Sequence, residues 1–551
     1  MRITNMKKAI SMTRLLLAAM AAVTMLFSVA ANAAAPGISG TTFNLTAQPA
    51  YLTQPDGQMV YSWGYGCATG FAPTFAPKLN VTGTCGTMQV PGPTLIVTEG
   101  QPITVTLTNN LPNAAGNTSI LFPGITLQPF TDGVAGLLTQ EAAPGQTVTY
   151  KFTAPSPGTR SYYSGTQGDL QVEMGLYGAI IVLPAQAISC PAHSTYAGVD
   201  ATGLHLTSGG EGDFRLANAA YDSPKSCYDR EYLFQFSEID PNIHTQAEKQ
   251  TIALSTCAAG APGCSLNVPT EPYHPAYFMI NGRSMPDDMD PNYASQYPHQ
   301  PYNGDPHMHP GEQVLLRIIG QGRWQHPFHE HGNHVRVLGR DGNLILSQTD
   351  GTELAGPLLF TTTTTPGQAM DGIFYWTARG LNWDAYGHNP ASPDAVAKLT
   401  CTPDANGYNT GDPSAINYYE WCQDHNKPLQ VAPFGDLPGG GPATLPDPNL
   451  FTNGAWFSGS PYLGPDATAR ATFGTPCSQA AGGCVNGANG GTSGTTPPSG
   501  TIANNPSTEA GFAFMWHSHN EREITTNNIF PGGMLMMMLV DSREFPIDET
   551  N

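Results

Sequence analysis

The sequence predicts an all-β protein of two β-sandwich units, the second carrying a long loop-rich insertion. Three observations support this. Gly (61) and Pro (49) are abundant while charged residues make up only 12% of the chain, a composition suited to short strands joined by many turns. Several runs, such as Pro102-Ile-Thr-Val-Thr-Leu-Thr-Asn109 and Gln146-Thr-Val-Thr-Tyr-Lys-Phe152, alternate apolar and polar residues as half-buried strands do. Between about 381 and 507 the alternation dissolves into Gly, Pro, Asn and Thr.

Residues 1–33 read as a secretory signal. Arg2, Lys7, Lys8 and Arg14 form a basic start, Leu15 to Ala30 is apolar, and Ala31-Asn32-Ala33 is a small-residue cleavage site. A periplasmic or extracellular location is the expectation. No later run is long enough to span a bilayer.

Residues 34–189 form the first unit. Pro91 to Gly100 leads into the alternating strand at Pro102, and Gly175 to Pro184 is a continuous apolar run expected to be a buried strand. Residues 190–230 read as a connector clamped by Cys190 and Cys227. The second unit spans 231–545, with strands expected over Tyr232–Phe236, Tyr277–Arg283, Glu312–Ile319, Asp371–Thr377, Phe512–Trp516 and Met534–Val540. Within the insertion, about 381–507, Pro413–His425 suits a short helix and Gly482–Pro506 a flexible loop. Excursions of that length are usually functional or disordered.

The ten cysteines all follow the signal stretch. They fall into neighbouring pairs, Cys67/Cys85, Cys190/Cys227, Cys257/Cys264, Cys401/Cys422 and Cys477/Cys484, and an even number suits an oxidising compartment. Spacing alone does not decide connectivity. The formal charge of −20 excludes a nucleic-acid partner, because phosphate binding needs a basic footprint.

The chain has 15 histidines, and two clusters stand out: His326-Pro-Phe-His-Glu-His-Gly-Asn-His334 and His517-Ser-His519. Side chains alternate faces along a strand. His329 and His331 therefore share one face, and His517 and His519 another, with His326 and Ser518 pointing away. Two facing His-x-His strands bring four imidazoles to one point, a donor set for copper or zinc. A third group, His299 with His307-Met-His309, reads as polar loop rather than metal site. Met536–Met538 and Tyr162–Tyr163 read as packing.

These motifs resemble those of the multicopper oxidases. Pro91-Gly-Pro-Thr94 and the strand after it look like the family's opening strands, and Asp132-Gly-Val-Ala-Gly136 like its interior turn. His326-Pro-Phe-His-Glu-His-Gly332 looks like its third copper motif; Trp516-His-Ser-His519 with Gly533-Met534 looks like its fourth. The resemblance implies two cupredoxin-like Greek-key sandwiches, a copper cofactor and oxidoreductase activity. By position, it makes His326 a blue-copper ligand, His329 a ligand of the lone cluster copper, and His331, His517 and His519 ligands of the coupled pair.

The departures are as informative. Ser518 stands where the family has the blue-copper cysteine, and Glu523 where it has a histidine. A neutral hydroxyl does not replace a thiolate. In the first unit, Leu121-Phe-Pro-Gly124 and Tyr163-Ser-Gly165 stand where two histidine motifs belong. The expected metal residues are thus His329, His331, His517, His519 and His326, without a blue copper site. Three functions fit: a copper-dependent oxidoreductase acting on a small molecule or a metal ion, a copper-binding or sequestering protein, and a structural protein that kept the fold. Two-domain relatives place copper between the subunits of trimers, so a homotrimer is a further expectation.

Overall fold

The computed structural model describes residues 35–78, 84–128, 134–190, 196–199, 205–207, 211–377, 400–405, 407–412, 422, 459–463, 502–503, 511–541 and 547. The signal stretch, the Cys477/Cys484 pair, the helix expected over Pro413–His425 and the loop Gly482–Pro506 lie outside these, but for Cys422 and Ile502–Ala503.

Ten strands build the first sandwich: β1 (Gly37–Ser39), β2 (Thr42–Thr53), β3 (Met59–Cys67), β4 (Thr74–Ala76), β5 (Leu95–Thr98), β6 (Pro102–Asn109), β7 (Leu127–Gln128), β8 (Thr147–Thr153), β9 (Gly158–Tyr163) and β10 (Tyr177–Leu183). They form two five-stranded sheets, ordered β4-β1-β5-β10-β9 and β3-β2-β6-β8-β7. β6 shows the predicted alternation, burying Ile103, Val105 and Leu107 while the threonines between them face outward. β10 is buried on both faces because it lies inside its sheet and the second sandwich covers its back. Ala179 and Ile181 pack there against Leu233, Ile319 and Ala369. That double burial explains its unbroken apolar sequence.

A short hairpin, β11 (Tyr196–Val199) and β12 (His205–Thr207), lies in the connector. The second sandwich then uses β13 (Arg230–Ile239), β14 (Tyr277–Ile280), β15 (His307–Met308), β16 (Gln313–Gly320), β17 (His326–Glu330), β18 (Val335–Arg340), β19 (Asn343–Leu344), β20 (Leu358–Leu359), β21 (Thr361–Thr364) and β22 (Ala369–Tyr375). It is completed by β23 (Gly459–Leu463), β24 (Ile502–Ala503), β25 (Gly511–Ser518) and β26 (Leu535–Asp541). One sheet runs β14-β13-β16-β22-β18-β19; the other runs β15-β26-β25-β17-β21, with β23 on the edge of β25. Strands β17 and β25 are therefore neighbours although nearly two hundred positions separate them in the chain.

Aromatic rings fill the space between these sheets. Phe328 lies 4.7 Å from Phe236 and 6.1 Å from Trp516, and Trp516 lies 4.9 Å from Phe374, centroid to centroid. Met536 and Met538 are core residues as expected, and Met534 joins them, whereas Met537 faces outward opposite Met515. The sandwiches are joined by buried polar contacts as well. Thr159 donates to Asp371 at 2.6 Å, and Gln321 donates to the Gly178 carbonyl at 2.8 Å.

Helix α1 (Pro241–Ala253) was not expected from the sequence, because its apolar residues form no clear stripe. Local chemistry sets it instead. Asp240 caps it by accepting from Asn242 N at 2.9 Å, and Pro241 occupies the first turn. His244 then ties it to the first sandwich, with its ring nitrogens at the Tyr61 and Glu173 carbonyls.

Four of the five expected disulfides are formed among the described residues: Cys67–Cys85, Cys190–Cys227, Cys257–Cys264 and Cys401–Cys422. No helix among those residues is long and apolar enough to cross a membrane.

Phe328 is fully buried beneath β17. Phe328→Ala should lower unfolding stability by about 3–5 kcal/mol, read from urea denaturation.

Candidate metal centre

The site begins with one register. β17 and β25 pair antiparallel with Phe328 opposite Ser518, His329 opposite His517 and Glu330 opposite Trp516. Directly opposed residues point to the same face. Phe328, Glu330, Trp516 and Ser518 therefore turn inward, and His329, His331, His517 and His519 turn outward together. His519 N donates to the Pro327 carbonyl at 2.8 Å, extending the pairing one step beyond the strand.

The four imidazoles converge. Ring centroids are 4.8 Å apart for His329/His331, 5.0 Å for His329/His519, 5.2 Å for His331/His517 and 5.6 Å for His329/His517. The Nε2 atoms of His331 and His517 stand 3.3 Å apart. Two imidazole ligands about 2.0–2.1 Å from one tetrahedral ion would be separated by roughly the same distance.

Outer contacts orient the rings. His517 Nδ1 donates to the Ser518 carbonyl at 2.7 Å, leaving the Nε2 lone pair for the cluster. His329 Nδ1 is 2.9 Å from the Thr361 hydroxyl. Ligating histidines are held in this way, by a second contact at the other nitrogen. Burial, and then the neighbouring imidazoles, hold His329 and His517 below the ordinary histidine range. Neutral rings are the form that binds a metal. The donor set thus fits the copper that the resemblance implies.

His326 faces the other side of β17 from this cluster, as strand parity leads one to expect. Its Nδ1 is 2.8 Å from Glu523 and its Nε2 is 2.9 Å from Glu238, so both nitrogens are occupied by carboxylates. Burial alone would lower its pKa, but the two carboxylates outweigh burial and raise it to about 9. Ser518 donates its hydroxyl to the same Glu523 oxygen, and Asn520 donates to the other at 2.8 Å. Ser518 N donates to the Met534 carbonyl and Met534 N to the Glu523 carbonyl. His326, Ser518, Glu523 and Met534 do meet in one pocket, as the resemblance implies, but its chemistry is a buried imidazolium between two carboxylates. His334 is elsewhere, 5.1 Å from the Phe360 ring.

Three other sequence features find structural roles. Glu330 is fully buried; burial pushes its carboxyl up to about 8, and Thr362 donates to it at 2.6 Å. Leu121 and Tyr163 bridge two backbone segments, and a Cβ at Gly165 would lie 2.6 Å from Leu121, so side-chain packing closes the first-unit positions. Ligand atoms of Glu211, His309 and Glu312 lie within 4.8 Å of one another. Arg230 binds both carboxylates, at 2.7 and 2.6 Å, and His309 binds Glu211, so this group is an ion-pair network. Sequence reading missed Glu238 and Thr361. Neither lies near a histidine motif in the chain, and each reaches the site only through sheet packing.

Comparison with known proteins bears on this geometry. Residues 75–187 match the family model described as multicopper oxidase. Over that stretch the chain is similar to the multicopper oxidases. It is 35% identical over 105 residues to multicopper oxidase MCE of Talaromyces pinophilus, covering 19% of this chain and 17% of that one. It is 42% identical over 96 residues to an L-ascorbate oxidase of Brassica rapa subsp. pekinensis, covering 17% and 16%. The matches thus span less than a fifth of these relatives' lengths. A blue copper oxidase structure from Nitrosomonas europaea superposes with TM-score 0.43 and 16% identity over 91% of this chain and 85% of that one. The family-model match covers the first sandwich, including the closed Leu121 and Tyr163 positions. The similarity there therefore rests on framework residues and not on metal ligands.

The His326 pocket carries a pH signature. A histidine pKa raised on folding from 6.5 to about 9 stabilises the fold fully below pH 6.5. That contribution is lost as pH rises through 9, and is on the order of 3 kcal/mol. Urea stability of the wild type should fall across this window, and the Glu238→Gln/Glu523→Gln variant should lose most of the slope.

Proposed function

We propose that this chain binds copper through His329, His331, His517 and His519 and works as a copper-dependent oxidoreductase that has no blue copper centre. The observation that supports this is the convergence of four oriented imidazoles on one sheet face. Soft and borderline ions such as copper suit that donor set. The relatives' names point to copper and give no support to zinc. Copper held there would supply one-electron redox chemistry.

The surrounding residues constrain how such a site is used. With Ser518 in the thiolate's position and His326 occupied by two carboxylates, no cysteine-linked path leads electrons to the cluster. A reductant must reach the histidine face itself. His519 is exposed there and Phe360, 5.8 Å from the His329 ring, is 49% exposed. A small phenol-like molecule or a reduced metal ion fits that access. The disulfides and the signal-like start support export to the periplasm or beyond. A homotrimer is the expected assembly, and light scattering tests it. The second reading, copper binding or sequestration without turnover, shares the site and differs only in activity.

The wild-type chain, produced with export and copper, should hold a single tightly bound copper that lacks blue-copper absorption. The variant with all four histidines changed to Ala should lose it, as read by metal analysis and electron paramagnetic resonance. Ser518→Cys alone should not create a blue band, because Glu523 and Glu238 still occupy His326. Turnover of phenols, lost with the copper, supports the oxidoreductase; tight copper without turnover supports sequestration. Metal-free protein under these conditions overturns both.

A further inference from the structure

Residues 281–306, between β14 and β15, carry an acidic group that the histidine site leaves unused. Asp288 lies in the short turn Asp287–Met289, is 0% exposed, and neither oxygen of its carboxylate has a hydrogen-bond partner. Burying a carboxylate without hydrogen bonds is strongly unfavourable, so such a group either takes up a proton or is met by a cation.

The segment Asn303–Asp305 lies against it. Gly304 N donates to the Asp288 carbonyl at 2.7 Å, and a Cβ at Gly304 would stand 3.9 Å from the Asp288 Cβ. Asn303 is 2% exposed, and both polar atoms of its side chain lack a partner as well. Asp305 is 3% exposed and sits 3.5 Å from His307 Nε2, while His307 Nδ1 is held by Asp541 at 2.6 Å.

The local charge does not balance. Asp287, Asp288 and Asp290 all act on Arg283. Its guanidinium donates to main-chain carbonyls of Gln300, Asp287, Asp290 and Pro291, while its Nη2 has no partner and makes no hydrogen bond to Asp288. His307 answers Asp541 and Asp305. Two buried carboxylates and a carboxamide thus lie on two segments that touch, in a neighbourhood with more acids than cations.

We infer that Asp288, Asn303 and Asp305 hold a hard divalent cation of the calcium class. Oxygen donors from carboxylates and an amide, together with nearby main-chain carbonyls, match calcium's preference for six to eight oxygens in flexible geometry. The same set is a poor one for copper, which favours imidazole and sulfur. This site is independent of the four-histidine reading. A cation here would pin the 281–306 segment to the edge of β26 and so brace the sheet that carries the histidines.

The test uses the full chain, stripped with a chelator and titrated with calcium chloride by calorimetry, with Tm followed in parallel. Wild type should bind one calcium per chain and gain thermal stability. Asp288→Asn should bind at least tenfold more weakly and lose the gain, while its copper content stays unchanged. If Asp288→Asn does not fold, Asp305→Asn takes its place with the same expectation. Absence of calcium binding by folded wild type overturns the inference, as does equal binding by the variant.

Discussion

The pairing of β17 with β25 is the constraint on which the candidate site depends. Placing His329 opposite His517 assigns every neighbouring residue to a face. The histidines gather outside the sheet while Phe328, Ser518 and Trp516 go inside. A shift by one residue would bury the imidazoles in the aromatic core and expose Phe328 and Trp516. Core packing and ligand assembly therefore enforce the same register. The ring contacts of Phe328 and Trp516 hold it from within.

The pocket behind that pairing shows how one position can change a site's chemistry while its geometry stays. His326, Ser518, Glu523 and Met534 still come together, but no thiolate is among them. Glu238 and Glu523 bind the His326 ring from both sides, and the arrangement is satisfied by a proton. Breaking a buried ion pair by removing one partner is costly, whereas keeping all three compensates their burial. The pocket has become part of the fold's electrostatic framework. Glu238 also accepts from Arg323 N and Trp324 N, which anchors the turn entering β17.

Buried charge recurs across the second sandwich. Arg317 binds Glu231 at 2.8 Å beside Asp371, and Arg230 bridges Glu211 and Glu312. In these networks each carboxylate is hydrogen-bonded. Asp288 is the contrast, a buried carboxylate facing other acids without a hydrogen bond, which makes a bound cation the natural complement.

Much of this was legible in the chain itself. Alternation along β6 and β8, the apolar run of β10 and the Gly- and Pro-rich composition determined the all-β class, because strand parity and turn chemistry are local. Parity likewise separated His329, His331, His517 and His519 from His326 and Ser518. Helix α1 escaped because capping by Asp240, and not an apolar stripe, sets it. The tertiary structure alone decided that β17 and β25 are neighbours, that Glu238 reaches His326, that Leu121 closes the first-unit positions and that Asp288 lies buried without a partner. Each of these depends on segments far apart in sequence, and contacts of that kind arise only when sheets pair and pack. Local pattern determined which way each side chain points; packing determined what it meets.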